Sequence, residues 1–304
     1  MITCSVKLKA PTYNRQRLLL FFLEAAGEAM SKMDLQKLLF LYHTEQHAEH
    51  YAFVPFRFGS YSFLAGDDLD LMEKRGWIQA EGKALSLTKD ISREQWAKQN
   101  EERRAVKRWL NRNPQRGDDL ITKTYQRFPY YALNSEIKER LLNADELTAV
   151  VNALPEKDSS ETIVFTLGYE GIHFEDYLNK LIKNRVAVLC DVRRNPLSRK
   201  FGFSSKMLAN VLPKLGIEYV HLPELGIESN KRQELNNMAD YERLFAGYRI
   251  ELPDRTDGLE RLQAISKKGK RVALTCFEAE AHCCHRHCIS DYLDETLGFK
   301  IKHL

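Results

Sequence analysis

Residues 186–190 read Val-Ala-Val-Leu-Cys, and this run constrains the fold more than any other feature of the chain. A strand with one wet face alternates apolar and polar residues. Five apolar residues in a row need cover on both faces, which is the situation of a strand inside a parallel sheet. Strand-like segments also stand at 162–167, 217–222 and 271–276, and a last short one at 300–304. Between them lie segments with the period of a helix: 174–183, 204–215 with Ser204 as its cap, 259–266, and one running from Cys284 or His285 to 297. Strand and helix in alternation predict a Rossmann-like α/β domain with a mostly parallel sheet over residues 162–304. Residues 223–252 show no regular period and are expected to form an insertion or lid.

The front of the chain has a different pattern. Residues 1–11 read as a loose start or a short strand. An amphipathic helix is expected over 15–26, with Leu18, Leu19, Phe22 and Leu23 on its apolar face and Gly27 as its stop. Ser31 can cap a second helix over 32–46, and a third segment covers 67–74. Trp77-Ile78 and residues 84–87 flank Glu81-Gly82-Lys83 as a small hairpin. Three helices followed by a two-stranded wing outline a mainly helical, winged-helix-like domain over 1–92. A charged helix over 93–112 and a helical stretch over 118–153, interrupted at Pro129, make 93–154 a helical connector. The polar residues 155–161 then read as a linker. A chain of 304 residues is long enough for two such cores.

No stretch is apolar for long enough to cross a bilayer, and the first residues carry no apolar signal core. A cytoplasmic protein without a membrane partner is therefore expected. Of the six cysteines, four (Cys276, Cys283, Cys284 and Cys288) stand within 13 residues of one another, so thiol or metal chemistry is expected rather than a disulfide framework. Eight Lys or Arg against three Glu in residues 93–116 suit either a phosphate-binding face or a solvated helix.

In a parallel sheet the carboxyl ends of all strands open on one edge, where α/β domains bind their ligands. The residues just past the strands here are Gly168-Tyr169-Glu170-Gly171, then residues 191–199 with Asp191, Arg193, Arg194 and Arg199, then Pro223-Glu224-Leu225-Gly226, and last Phe277-Glu278 with Cys284-His285-Arg286. Arg193, Arg194, Arg199 and Arg286 are candidates for gripping a phosphate or carboxylate through bidentate bonds. Gly168, which allows close backbone approach to a ligand, and Tyr169 beside it are candidate substrate-binding residues. Glu170, Asp191, Glu278 and His285 are the candidate acids and bases. Cys284, near a helix start and Arg286, is a candidate nucleophile. Arg193 and Arg286 are expected to converge on one anion. The rival reading is structural zinc, with Cys284 and Cys288 sharing a helix face and Cys276, Cys283, His282 or His287 completing the tetrahedron. No cofactor is identified.

Two resemblances attach to these residues. Thr166-Leu167-Gly168-Tyr169-Glu170-Gly171, Asp191-Val192-Arg193-Arg194-Asn195-Pro196, Gly202-Phe203-Ser204, Cys276-Phe277-Glu278 and Cys284-His285-Arg286 resemble, in order and spacing over about 162–297, the domain-of-unknown-function family 488. That resemblance implies an α/β cleft without naming a reaction. Leu35-Gln36-Lys37-Leu38-Leu39 and Phe58-Gly59-Ser60-Tyr61-Ser62 resemble the Panacea type of domain, which implies an association with antitoxins and phage-linked proteins. The function expected is an enzyme acting on a nucleotide or nucleic acid, by glycosidic-bond or phosphoester cleavage, in phage defence. The alternative is a non-catalytic regulator that binds DNA or a partner protein through its first domain and an anion or zinc through its second.

Overall fold

The computed structural model describes residues 8–9, 11–88, 100–154, 162–232, 235, 237–266 and 270–304. The expected linker and residues 93–99 lie outside them. The chain divides into two compact units, 1–154 and 155–304.

The first unit is largely helical. Its elements are α1 (Asn14–Ala26), β1 (Met30–Ser31), α2 (Lys32–Gln46), β2 (Val54–Phe56), β3 (Gly59–Tyr61), α3 (Phe63–Lys74), β4 (Ile78–Glu81), β5 (Ala84–Leu87), α4 (Asn100–Arg112), α5 (Gly117–Arg127), α6 (Lys138–Leu141) and α7 (Ala144–Val151). Ser31 caps α2 by accepting from the Asp34 amide, and Gly27 closes α1 with φ +71°. β1, β5 and β4 form a three-stranded antiparallel sheet in that order, and β2 pairs with β3.

Contrary to the amphipathic expectation, α1 is buried all round from Leu18 to Leu23. Such a helix needs cover on every side. Part of that cover comes from α4, whose Val106, Trp109 and Leu110 join the same core, with the Trp109 ring at 6.2 Å from Phe22 and 5.4 Å from Tyr42. Phe128 meets Phe40 edge-on at 5.1 Å, and Tyr131 packs against it tilted at 4.4 Å. The helices expected as a connector thus pack into the first unit's core. On α4, Arg103 forks onto Glu24 with two bonds of 2.6 Å, whereas Arg104, Lys107, Arg108 and Arg112 face solvent.

The second unit is α/β. It comprises β6 (Ile163–Gly168), α8 (Phe174–Lys183), β7 (Val188–Asp191), α9 (Ser205–Val211), β8 (Glu218–His221), α10 (Met238–Glu251), α11 (Thr256–Ser266), β9 (Val272–Cys276), α12 (Arg286–Leu297) and β10 (Lys300–His303). The five strands lie in the order β10-β6-β9-β7-β8 and every pairing is parallel. Every residue of β6, β9 and β7 is buried, while the edge strands β8 and β10 are partly exposed.

Val188, Cys190, Val272, Leu274 and Cys276 share one core with Phe245 and Tyr248 of α10, Leu259 and Leu262 of α11, and Ile289 and Leu293 of α12. The alternate residues Phe165, Leu167, Leu189 and Ala273 point the other way and are equally buried, so both sheet faces are covered. The region expected to be irregular holds the 14-residue helix α10, capped by Asn237 through a capping box with Asp240. Its apolar residues serve the sheet at intervals that do not stand out against Tyr241 and Ile250. No helix among the described residues is long and apolar enough to cross a membrane.

Candidate functional site

The chain runs from β6 to β7 past the place that β9 later fills, so the winding direction reverses beside β6 and β9. Such a reversal opens a crevice at the carboxyl ends of the strands. A cleft of about 410 Å3 lies there, walled by Tyr169 after β6, by Arg193, Arg194, Asn195, Leu197, Ser198, Arg199 and Lys200 after β7, by Ile227, and by Cys276, Phe277 and Glu278 at the end of β9.

The loops around the cleft are pinned by backbone contacts. The Tyr169 and Glu170 amides both donate to the Phe277 carbonyl, at 3.1 and 2.9 Å. Glu170 accepts from the Ala279 amide at 3.1 Å. A Cβ at Gly168 would lie 1.8 Å from the Glu278 carbonyl oxygen, so only glycine lets the two chains pass. A Cβ at Gly226 would meet the Arg194 nitrogen at 2.3 Å, which holds the 223–226 turn against the loop after β7 in the same way.

Asp191 and Arg193 form a knot beneath the cleft. Asp191 is fully buried and Arg193 is 5% exposed. The guanidinium forks onto both carboxylate oxygens, at 2.8 and 2.5 Å, and also donates to the Tyr169 hydroxyl and the Phe203 carbonyl at 2.8 and 2.9 Å. Tyr219 donates its hydroxyl to Asp191 at 2.8 Å, and the His221 ring donates to the Arg193 carbonyl at 2.9 Å. The Tyr169 ring lies flat on Phe203 at 4.3 Å. Asp191 is therefore an ion-paired carboxylate, and the Arg193 fork is already engaged within the protein.

Arg286 is likewise committed to the protein. It is 1% exposed and donates to the carbonyls of Glu278 and Ala279 at 2.6 and 2.7 Å. Those carbonyls follow the end of β9, where no strand supplies a partner, and the guanidinium satisfies them. It borders a different cavity, with His282, His287 and His303. The expected convergence of Arg193 and Arg286 on one anion is thus corrected: each holds the protein's own backbone or carboxylate.

Cys284 and His285 do not line the 410 Å3 cleft either. Both are 1% exposed. Burial pushes the Cys284 thiol well above its ordinary range, and neighbouring Cys276 pushes it the same way against the opposing effect of His285. A reactive thiolate needs the reverse. α12 begins only at Arg286, so Cys284 precedes the helix start it was expected to use. Instead His285 donates through Nε2 to the Val192 carbonyl at 3.0 Å, and its Nδ1 lies 3.7 Å from Cys276 Sγ and 3.8 Å from Cys284 Sγ. These three donor atoms all lie within 4.8 Å of one another. Cys288, expected to share a metal with Cys284, lies beside the His287 ring at 3.5 Å and outside this cluster.

Of the expected residues, the cleft wall brings together Tyr169, Arg193, Arg194, Arg199 and Glu278. Gly168 and Glu170 hold its loops, and Asp191 lies beneath it. Lys200, Asn195 and Ser198 of the wall, and Tyr219 and His221 behind it, were missed. The last two alternate along the short strand 218–221, a signal that a search confined to residues past the strands passes over. Arg199 is exposed and makes no hydrogen bond or ion pair among the described residues, while Arg194 makes one bond of 3.2 Å to the Pro223 carbonyl. Lys200 donates to the Tyr169 carbonyl at 2.6 Å.

Residues 173–293 match the sequence model of the family described as "Domain of unknown function DUF488". The matched span takes in the loop after β7, Glu278, Cys284, His285 and Arg286, and it begins just after the β6 end with Gly168, Tyr169 and Glu170. No curated protein matches the chain.

Proposed function

We propose that the second unit binds a phosphate-bearing ligand, a nucleotide or a nucleic-acid backbone, in the cleft at the carboxyl edge of its sheet, and cleaves it. The observation that carries this reading is the loop 193–200. It sets Arg194, Arg199 and Lys200 on one wall of a single cleft together with Asn195 and Ser198, and Arg199 has no protein acceptor among the described residues. An arginine left without an acceptor at a sheet's carboxyl edge suits an incoming phosphate. Glu278, after the neighbouring strand β9, is the carboxylate that lines the same cleft and takes the role of acid or base. Glycosidic-bond and phosphoester cleavage both use such a group.

The test is binding of a panel of ribonucleotides and short DNA and RNA oligonucleotides, followed by product analysis. Arg199→Ala combined with Arg194→Ala should weaken binding at least about tenfold, as expected for charge-assisted contacts. Glu278→Gln should keep binding and lose turnover. Retention of full affinity by the double arginine variant would sink the reading.

The second reading is a non-catalytic regulator acting through the first unit. The order of α1, β1, α2, α3 and the β4–β5 hairpin, with β1 paired to β5, supports a winged helix, as does the resemblance to the Panacea type of domain. Ligand binding with no product from any member of the panel would favour it.

A further inference from the structure

We propose that Cys276, Cys284 and His285 form a binding site for a single zinc ion, with two thiolates and one imidazole as its protein ligands. This proposal does not depend on the phosphate reading of the cleft. The three donors come from the end of β9 and from the turn that precedes α12, and each residue is 1% exposed. The Val192 carbonyl accepts from Nε2–H of His285 at 3.0 Å, which places the proton on Nε2 and leaves the Nδ1 lone pair facing the two sulfurs. A second partner that sets the tautomer in this manner is the usual companion of a metal-bound histidine.

The spacing fits as well. A tetrahedral zinc with bonds of about 2.3 Å to sulfur and about 2.0 Å to nitrogen holds sulfur and nitrogen about 3.5 Å apart and two sulfurs about 3.8 Å apart. The two sulfurs stand 3.7 and 3.8 Å from Nδ1, and all three atoms lie within 4.8 Å of one another. On binding, zinc takes both sulfurs as thiolates and two protons leave to solvent. Three protein donors leave one tetrahedral position for water or a bound ligand. Cys276 also lines the cleft at the strand ends, so the ion would lie at its wall.

The test uses the full chain, stripped with a chelator under reducing conditions and titrated with Co2+ and then Zn2+. One cobalt per chain should produce a sulfur-to-cobalt charge-transfer band and the intense visible bands of a tetrahedral site, both displaced by one equivalent of zinc. Cys276→Ser, Cys284→Ser and His285→Ala should each lower affinity at least about tenfold, as loss of even a supporting contact does. Cys283→Ser and Cys288→Ser should leave it unchanged.

Because a core variant can fail to fold, zinc X-ray absorption on the unaltered chain gives an independent answer, with two sulfur and two lighter neighbours expected. Three outcomes would overturn the proposal. These are the absence of stoichiometric binding, a zinc shell with no sulfur or with more than two, and a Cys276–Cys284 disulfide that persists in the reduced protein. Nucleotide binding that survives in zinc-free protein would leave the phosphate reading standing while this proposal is judged by the metal data alone.

Discussion

Replacing Arg193 with Met tests whether the knot under the cleft is structural. The change removes a guanidinium that donates to both oxygens of Asp191, and it leaves that carboxylate fully buried. Removing one partner of a buried ion pair costs about 3–5 kcal/mol. The Tyr219 hydroxyl and the backbone amide of residue 193 still donate to Asp191, so the carboxylate is not left bare and the loss should fall at the low end of that range. A loss of about 3 kcal/mol in the stability of the second unit is therefore expected. Adding Asp191→Asn removes the stranded charge, so the double variant should recover at least about 2 kcal/mol relative to the sum of the single changes.

The assay must report on the second unit alone. All three tryptophans precede residue 155, and Trp77 and Trp109 belong to the first unit, so tryptophan fluorescence serves as the internal control. Cys190 is fully buried on β7 beside Asp191, and its labelling by a thiol reagent across a urea series, read by mass spectrometry, reports opening of the sheet. A cost below about 1 kcal/mol, or single costs that simply add, would refute the structural role and return Arg193 to the ligand.

Three further outcomes are expected. Gly168→Ala should lower the stability of the second unit by about 1–3 kcal/mol, because its Cβ would lie 1.8 Å from the Glu278 carbonyl oxygen; faster amide exchange at Tyr169 and Glu170 with a lowered Tm checks this. In the first unit, burial lowers His43 to about 4 from its ordinary 6.5, while its ring donates to the Leu39 carbonyl and accepts from the Tyr51 amide. The unfolded chain then binds the proton more readily, so up to about 3 kcal/mol of stability should be lost as pH falls from 6.5 through 4, and His43→Gln should abolish that dependence. If α4 meets nucleic acid, replacing Arg104, Lys107 and Arg108 with Ala should flatten the log–log salt slope of oligonucleotide binding by roughly 2–3; an unchanged slope would exclude that face.

The architecture of the second unit was legible because its signals are local. The apolar run 186–190, the helical period of 174–183 and the cap at Ser204 each depend on neighbours within a few residues, and the strands and helices stand where these signals put them. Parallel pairing then gathers the strand ends on one edge without further information, so the sequence by itself pointed to the edge where Tyr169, Arg193 and Glu278 meet, although it also put His285 and Arg286 there, and these border other cavities. It could not determine what each polar group would face. Whether an arginine is open to a ligand depends on acceptors brought from elsewhere in the fold: Asp191 and the Phe203 carbonyl take Arg193, the Glu278 and Ala279 carbonyls take Arg286, and Arg199 is left to solvent. The cysteines follow the same rule. Spacing along one helix suggested Cys284 with Cys288, yet Cys284 precedes α12 and meets Cys276 at the end of β9. Secondary structure arises from contacts close in sequence, whereas the pairing of a buried charge or thiol arises from contacts that only the closed sheet creates.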